Sequence, residues 1–284
     1  MDEKLQEILS SFDRMHKNHV QPMTPKEYDH CTFISSLIGK EHSYASTRET
    51  LSFDEVQSTA FDSFKIYKDF RLSHELHKVI RRADITQEEK IVVPSFSQFQ
   101  TGILSERNPK TDYFSVRLIT TPRFFDELSP YYFGHEFHHI LKDINPKEYQ
   151  YMLRYAEVIP QFYELIACER DPEKQKKLVQ NRLALLNSMR GYLLLHNTRK
   201  DNNELWKYYD SKYCQYFNSF YYSVLLYQLY QNSPKKVLKE VKRVLRKEIS
   251  TYQLLEEFHL FDREFHSEVE SGIQYLKKYS MESL

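Results

Sequence analysis

The amino-acid sequence predicts a mainly α-helical protein with a small β-sheet. Its 284 residues include only 5 Gly and 10 Pro, so long stretches of Leu, Lys, Glu and Tyr contain few residues that end helices. Residues 91–121 differ, because β-branched and aromatic residues alternate there with polar ones, as in strands. The chain can bury a substantial core and contains no Gly- or Ser-rich linker. We therefore expect one domain, with a helical N-terminal lobe over 1–90, a small β region over 91–121 and a helical core over 122–284.

The spacing of apolar residues and the positions of proline predict the order of the elements. Helices are expected first over 4–19, 24–38 and 52–82, and two or three strands follow within the β region. Ser129-Pro130 fits the start of the next helix, with proline in its first turn. The remaining helices are predicted over 146–169, 172–196, 202–232, 234–247 and 250–278.

Charge and cysteine content argue against several classes of function. Lys+Arg and Asp+Glu are equal at 40 each, so no overall field attracts nucleic acid or an anionic membrane, and neither partner is expected. No segment approaches the roughly 18 apolar residues that span a bilayer, and the N-terminus lacks the apolar region of a signal peptide. A cytoplasmic location is the resulting expectation. The 3 cysteines are scattered, which indicates neither a disulfide framework nor a thiolate zinc site.

The segment His135-Glu136-Phe137-His138-His139 carries the clearest chemical signal. His135 and His139 are four residues apart, so on a helix they share a face about 6 Å apart along the axis and can bind one cation. Glu136 lies beside them, where a carboxylate can take a proton from a metal-bound water. Zn²⁺ is the expected metal, because it lowers the pKa of its water to about 7. His138 lies on another face and is expected to pack or to support the site.

A hydrolytic zinc site needs a third protein ligand and an open position. Glu157 and Glu164 are the obvious candidates, since they are two helical turns apart on the next predicted helix and can both face the first. Only one of them is expected to bind the metal. The spacing alone leaves both open.

The segment Ala156–Glu164 resembles the second motif of the thimet oligopeptidase and oligoendopeptidase F family of zinc peptidases, whose first motif reads HExGH. The resemblance implies a zincin-like helical catalytic domain with an active-site cleft. It also implies that His135, His139 and Glu157 bind the metal and that Glu136 is the general base. The chain departs from the family where Phe137-His138 replaces the small residue before His139.

In the same family a second glutamate follows the ligand by seven residues, which matches Glu164. The resemblance implies that Glu164 holds a free ring N–H of His135 or His139 and that Gln161 is a further neighbour of the site. The loop before Glu157 is shorter than in the family, so Glu164 stays the alternative ligand.

The segment Gln215–Tyr222 is similar to the family's downstream segment, in which a histidine and a tyrosine stabilise the oxyanion. Tyr221 occupies the matching position and is implied to be the catalytic donor. Gln215 stands where the pattern has histidine, and Phe217 stands where it has tyrosine. Losing one such donor typically lowers the rate about 100- to 1,000-fold. The alternative donors are Tyr216 and Tyr222.

The implied function is that of a zinc metallopeptidase, a hydrolase that cleaves short extended peptides with a zinc-bound water activated by Glu136. The replaced residues keep one alternative open: a catalytically weak or inactive relative that binds a peptide or a protein partner. A helical interaction protein with an accidental motif is a third reading. The predicted strands would offer an edge along which a peptide lies. The basic helix over 234–247 is expected to be a solvated outer face.

Overall fold

A computed structural model of the chain describes residues 24–37, 53–68, 83–88, 102–107, 114–119, 127–143, 154–198 and 204–278. This part of the chain is mainly helical, as the sequence predicts. The predicted helix over 4–19 lies outside it. The strands are β1 (Ala83–Glu88), β2 (Gly102–Arg107) and β3 (Phe114–Ile119). The helices are α1 (Pro25–Leu37), α2 (Phe53–Lys68), α3 (Ser129–Asp143), α4 (Val158–Cys168), α5 (Pro172–Thr198), α6 (Glu204–Asn232), α7 (Pro234–Leu245), α8 (Thr251–Glu257) and α9 (His266–Lys278).

The three strands lie in the order β1-β3-β2. β1 is parallel to β3, with Ala83 opposite Phe114, and β2 is antiparallel to β3, with Gly102 opposite Ile119. β1 precedes the region over 91–121 in which strands were expected. β1 runs beside α2, and β2 runs beside α3. Of the two edges of this sheet, β2 is therefore the one next to the helix that carries the histidines.

Helices α4 and α6 form the centre of the core. Every residue of α4 is buried, and so is every residue of α6 from Phe217 to Tyr227. A helix that is buried on all sides runs through a core rather than along a surface. α6 packs against α1, α4, α5, α7 and α9. Many of the large aromatic residues predicted for packing are here, including the fully buried Tyr163, Tyr221, Tyr222 and Tyr227.

Two predicted helices extend beyond their observed ends. The helix predicted over 250–278 is two helices, because α8 closes at His259, which adopts the left-handed conformation at φ 58°. The amide of Leu260 donates to the carbonyl of Leu255, and the amide of His259 donates to that of Glu256, the paired bonds of a Schellman motif. α7 ends in the same way at Lys247, with φ 67°.

The helix predicted over 146–169 begins later than expected. Residues 154–157 form a turn, and α4 starts at Val158; the residues before 154 lie outside the described ranges. Pro160 therefore occupies the first turn of α4 rather than its interior, and its missing N–H removes no helical hydrogen bond there. Glu157 is the N-cap residue, and its side chain makes no capping bond. That side chain remains free to face α3.

Among the helices in the described ranges, none is both long enough and apolar enough to cross a bilayer.

Candidate metal centre

Helix α3 is fixed against α2 by an unusually close contact at Gly134. A Cβ at this position would lie 1.9 Å from Cε2 of Tyr67, so only glycine fits beside that ring. Tyr67 is fully buried, and its hydroxyl donates to the carbonyl of Tyr131 at 3.3 Å. The contact turns the adjacent residue, His135, toward α4. His135 is only 6% exposed.

The nitrogens of His135 and His139 meet the carboxylate of Glu157 at one point. The Nε2 atoms of the two histidines are 2.9 Å apart. Glu157 Oε2 lies 3.0 Å from Nε2 of His135, and Glu157 Oε1 lies 3.3 Å from Nε2 of His139. In a tetrahedral zinc site with bonds of 2.0–2.2 Å, neighbouring ligand atoms are about 3.3–3.6 Å apart. The three observed separations, 2.9, 3.0 and 3.3 Å, lie at or slightly below this range.

Hydrogen bonding within the protein does not account for this arrangement. Nε2 of His135 lies within hydrogen-bond distance of Nε2 of His139, which is itself a ligand-type nitrogen. Glu157 Oε2 is buried and accepts no hydrogen bond from the part of the chain that is described. Two imidazole nitrogens and an unsatisfied carboxylate oxygen that lie this close together are donors that could hold a metal ion.

A second carboxylate is also within reach of the two histidines. His135, Glu136 and His139 each offer a ligand atom within 4.8 Å of the others, a group that could hold a metal ion. The oxygens of Glu157 approach the imidazoles more closely, at 3.0 and 3.3 Å, and Glu157 is the more buried of the two glutamates. We therefore treat Glu157 as the better placed third donor. Glu136 then stays beside the metal position.

Strong electrostatic coupling holds the site together. Burial by itself lowers the pKa of His135, but the nearby charges of Glu164 and Glu157 outweigh it and raise that pKa to about 10. Burial likewise raises the pKa of Glu157, yet His139 and His135 hold it well below its usual range. Without a metal, a protonated His135 is one of the positive charges that face the two carboxylates.

Glu164 approaches the opposite side of the His135 ring. Its Oε1 lies 2.9 Å from Nδ1, the nitrogen that faces away from His139 and Glu157. Nη2 of Arg182 donates to both oxygens of Glu164, at 2.8 and 2.7 Å. Burial raises the pKa of Glu164, but the charges of Arg182 and His135 outweigh it, and the pKa falls below its usual value. Glu157 and Glu164 thus face different nitrogens of one imidazole.

His138 lies behind the site and is fully buried. Its Nδ1 donates to the carbonyl of Gly134 at 2.6 Å, and its ring stacks on Tyr163 with 4.1 Å between centroids. Burial lowers the pKa of His138 to about 3, and the charges of His135 and His139 add to the effect. The ring is neutral and packs against the core.

Gln161 is one helical turn after Glu157 and points toward α6. Its Oε1 lies 3.5 Å from the hydroxyl of Ser223, and its Nε2 has no hydrogen-bond partner among the described residues. On α6, Ser219 Oγ and Gln215 Oε1 are also buried and have no hydrogen-bond partner among the described residues. A polar strip therefore lies between α4 and α6.

The structure does not bring Tyr221 to the histidine cluster. Its ring is fully buried and stacks on His30, with 3.9 Å between centroids. Its hydroxyl accepts a hydrogen bond from the amide of Phe265 at 2.8 Å. Tyr222 is buried in the same aromatic group, against Tyr155. Such positions give no support to an oxyanion donor at Tyr221 or Tyr222, because neither ring faces solvent. Tyr216 is partly buried and packs against the core.

Arg182 was missed by the sequence reasoning. A signal was present, because the charged residue interrupts an apolar helical face. The buried members of that face are Leu178, Val179, Leu183 and Leu186. A cation at such a position is almost always paired with a buried acid, and Glu164 is such an acid.

No protein-family model, no curated protein and no solved structure matches this chain.

Proposed function

We propose that this protein is a zinc-dependent metallopeptidase that hydrolyses short peptides. The observation that supports the proposal most directly is the convergence of two imidazole nitrogens and a carboxylate at 2.9 to 3.3 Å from one another. Nitrogen and oxygen donors at these separations suit Zn²⁺, which binds three protein ligands and keeps a fourth position open in hydrolytic sites.

Each residue of the site has a role in this proposal. His135 and His139 would hold the metal through Nε2, and Glu157 would hold it through its carboxylate. Glu164 accepts the Nδ1 proton of His135, which keeps Nε2 unprotonated and directed at the metal. When bound, Zn²⁺ lowers the pKa of water to about 7 and polarises the scissile carbonyl. Glu136 takes the proton from the attacking water and passes it to the leaving amine.

The sheet provides a place for an extended substrate. β2 is an edge strand and runs beside α3, the helix of His135 and Glu136. A peptide that pairs with β2 through backbone hydrogen bonds would pass next to the metal position. This arrangement of an edge strand beside a metal-binding helix favours a zincin-like catalytic domain.

The test is a Glu136→Gln variant compared with the wild type. Protein purified without an affinity tag is expected to contain one equivalent of zinc by elemental analysis in both forms. Cleavage of a quenched-peptide library should fall by at least about 100-fold in E136Q, because the general base is lost while the ligands stay. Full activity in E136Q would contradict the mechanism, and wild type without stoichiometric metal would contradict the metal site.

A second candidate function is peptide or protein binding with little turnover. It is favoured by the burial of Tyr221 and by Phe217, which is fully buried and has no hydroxyl. The zinc-loaded wild type would then bind library peptides, for example in a fluorescence anisotropy titration, and leave them intact.

A further inference from the structure

We infer that Arg182 is a positioning residue of the metal centre, which fixes the imidazole of His135 by clamping Glu164. The inference rests on the proposed function, since it concerns how the metal ligand is oriented. Arg182 contacts neither the metal position nor Glu157. Its contact with the site is made through the carboxylate between itself and His135.

The three groups form a continuous chain of contacts. Oε1 of Glu164 lies 2.8 Å from Nη2 of Arg182 and 2.9 Å from Nδ1 of His135, so one oxygen joins both residues. Oε2 of Glu164 is 2.7 Å from the same Nη2. Glu164 is 1% exposed, and within the described ranges it has no other hydrogen-bond or ion-pair partner. Arg182 is therefore the group that determines how this carboxylate faces the imidazole.

Arg182 is itself held rigidly. It extends from α5, with its side chain only 11% exposed. The neighbouring Asn181 donates to the hydroxyl of Tyr132 at 3.1 Å, which ties the same turn of α5 to α3. Nη2 of Arg182 contacts both oxygens of Glu164, so a largely buried side chain on an anchored turn limits the rotation of this carboxylate.

Stability alone is a poor reason for this arrangement. A buried ion pair contributes little net stability, since desolvation of both charges offsets their attraction, and apolar residues of similar size often replace such pairs without loss. A role in orienting a metal-binding imidazole would explain why the charged pair of Glu164 and Arg182 is present. Residues of this kind typically change metal affinity or activity by 10- to 100-fold when they are replaced.

The experiment measures Co²⁺ binding, by chelator competition and by the visible absorption spectrum, in the full-length protein. Arg182→Met is expected to weaken Co²⁺ binding roughly tenfold and to shift the d–d bands, because His135 is no longer held in one orientation. Glu164→Gln should weaken binding at least as much. In the E164Q background, R182M should cause no further loss, because the clamp then has nothing to hold.

Lys177→Met is the matched control. Lys177 is on the same helix and pairs with a carboxylate, Glu127, that is not part of the site. K177M should keep the wild-type affinity and spectrum. Arg182→Lys, which keeps the charge without the planar guanidinium, should fall between wild type and R182M, and it carries the test if R182M does not fold.

Either of two results would overturn the inference. The first is wild-type Co²⁺ affinity and spectrum in R182M, or in R182K if R182M is unfolded. The second is an additive loss of Co²⁺ affinity in the double variant. The proposed function fails differently, since wild type itself would then bind no Co²⁺ at one equivalent.

Discussion

At the scale of single residues, His135 is the centre of the site, because each of its ring nitrogens faces a different carboxylate. Glu157 lies on the Nε2 side at 3.0 Å and Glu164 on the Nδ1 side at 2.9 Å. The sequence predicted both glutamates but left their roles open, since two turns of helix bring either one to α3. The choice depends on which nitrogen each one meets. That depends on how α3 packs against α4, which no local pattern supplies.

The burial of His138 predicts how the unfolding free energy of the metal-free protein changes at acid pH. Its pKa falls from 6.5 in the unfolded chain to about 3 in the folded protein, so its neutral form contributes stability above pH 6.5 that is lost as the pH falls. His138→Phe keeps a ring against Tyr163 but cannot titrate. The unfolding free energy of the wild type should therefore fall more steeply than that of H138F below pH 6.5, by up to about 1.4 kcal/mol per pH unit.

Urea denaturation at a series of pH values between 6.5 and 4.5 measures this difference, in a window above the usual pKa of glutamate. His259→Phe makes the same substitution at an exposed position and serves as the control. Equal slopes in wild type and H138F would show that His138 is not buried as a neutral ring.

At the scale of elements, the positions of α2 and α3 depend on one glycine. Gly134→Ala would place a Cβ 1.9 Å from the ring of Tyr67. Because the fully buried ring has little room to move, G134A should lower the unfolding free energy by about 1–3 kcal/mol. Tyr67→Leu removes most of the obstructing ring, so adding G134A to Y67L should cost far less. Urea denaturation of the four proteins tests this, and an equal cost in both backgrounds would contradict the contact.

Element types were more predictable from the sequence than element ends. The buried residues of α7, Val237, Val241, Val244 and Leu245, repeat at the helical period, so this helix was expected near its observed bounds. The helix end at His259 was missed, because a left-handed residue after a helix is usually glycine and this position has none. β1 was missed as well: its sequence, ADITQE, is polar and lacks the apolar run that indicates a strand.

At the scale of the whole molecule, bound metal should stabilise the fold, because the donors come from α3 and from the turn before α4. A ligand that binds only the folded state adds about 2.7 kcal/mol at 100 times its dissociation constant. Zinc at such an excess should raise the thermal midpoint of the metal-free protein, and a chelator should reverse the shift.

His139→Ala removes one donor and should abolish most of this response. His259→Ala, which changes an exposed histidine far along the chain, should retain it. Differential scanning calorimetry with and without zinc measures the shift. A similar shift in H139A and wild type would mean that the metal stabilises the protein from another site.

The site is built from α3, the turn before α4, α4 and α5, which follow one another along the chain. Contacts between consecutive elements close short loops, and short loops cost little entropy during folding. His135, Glu157 and Arg182 can therefore come together before the later helices are in place. During synthesis these residues leave the ribosome ahead of α6 to α9, so the proposed metal site could form in the nascent chain before the helices that follow are made.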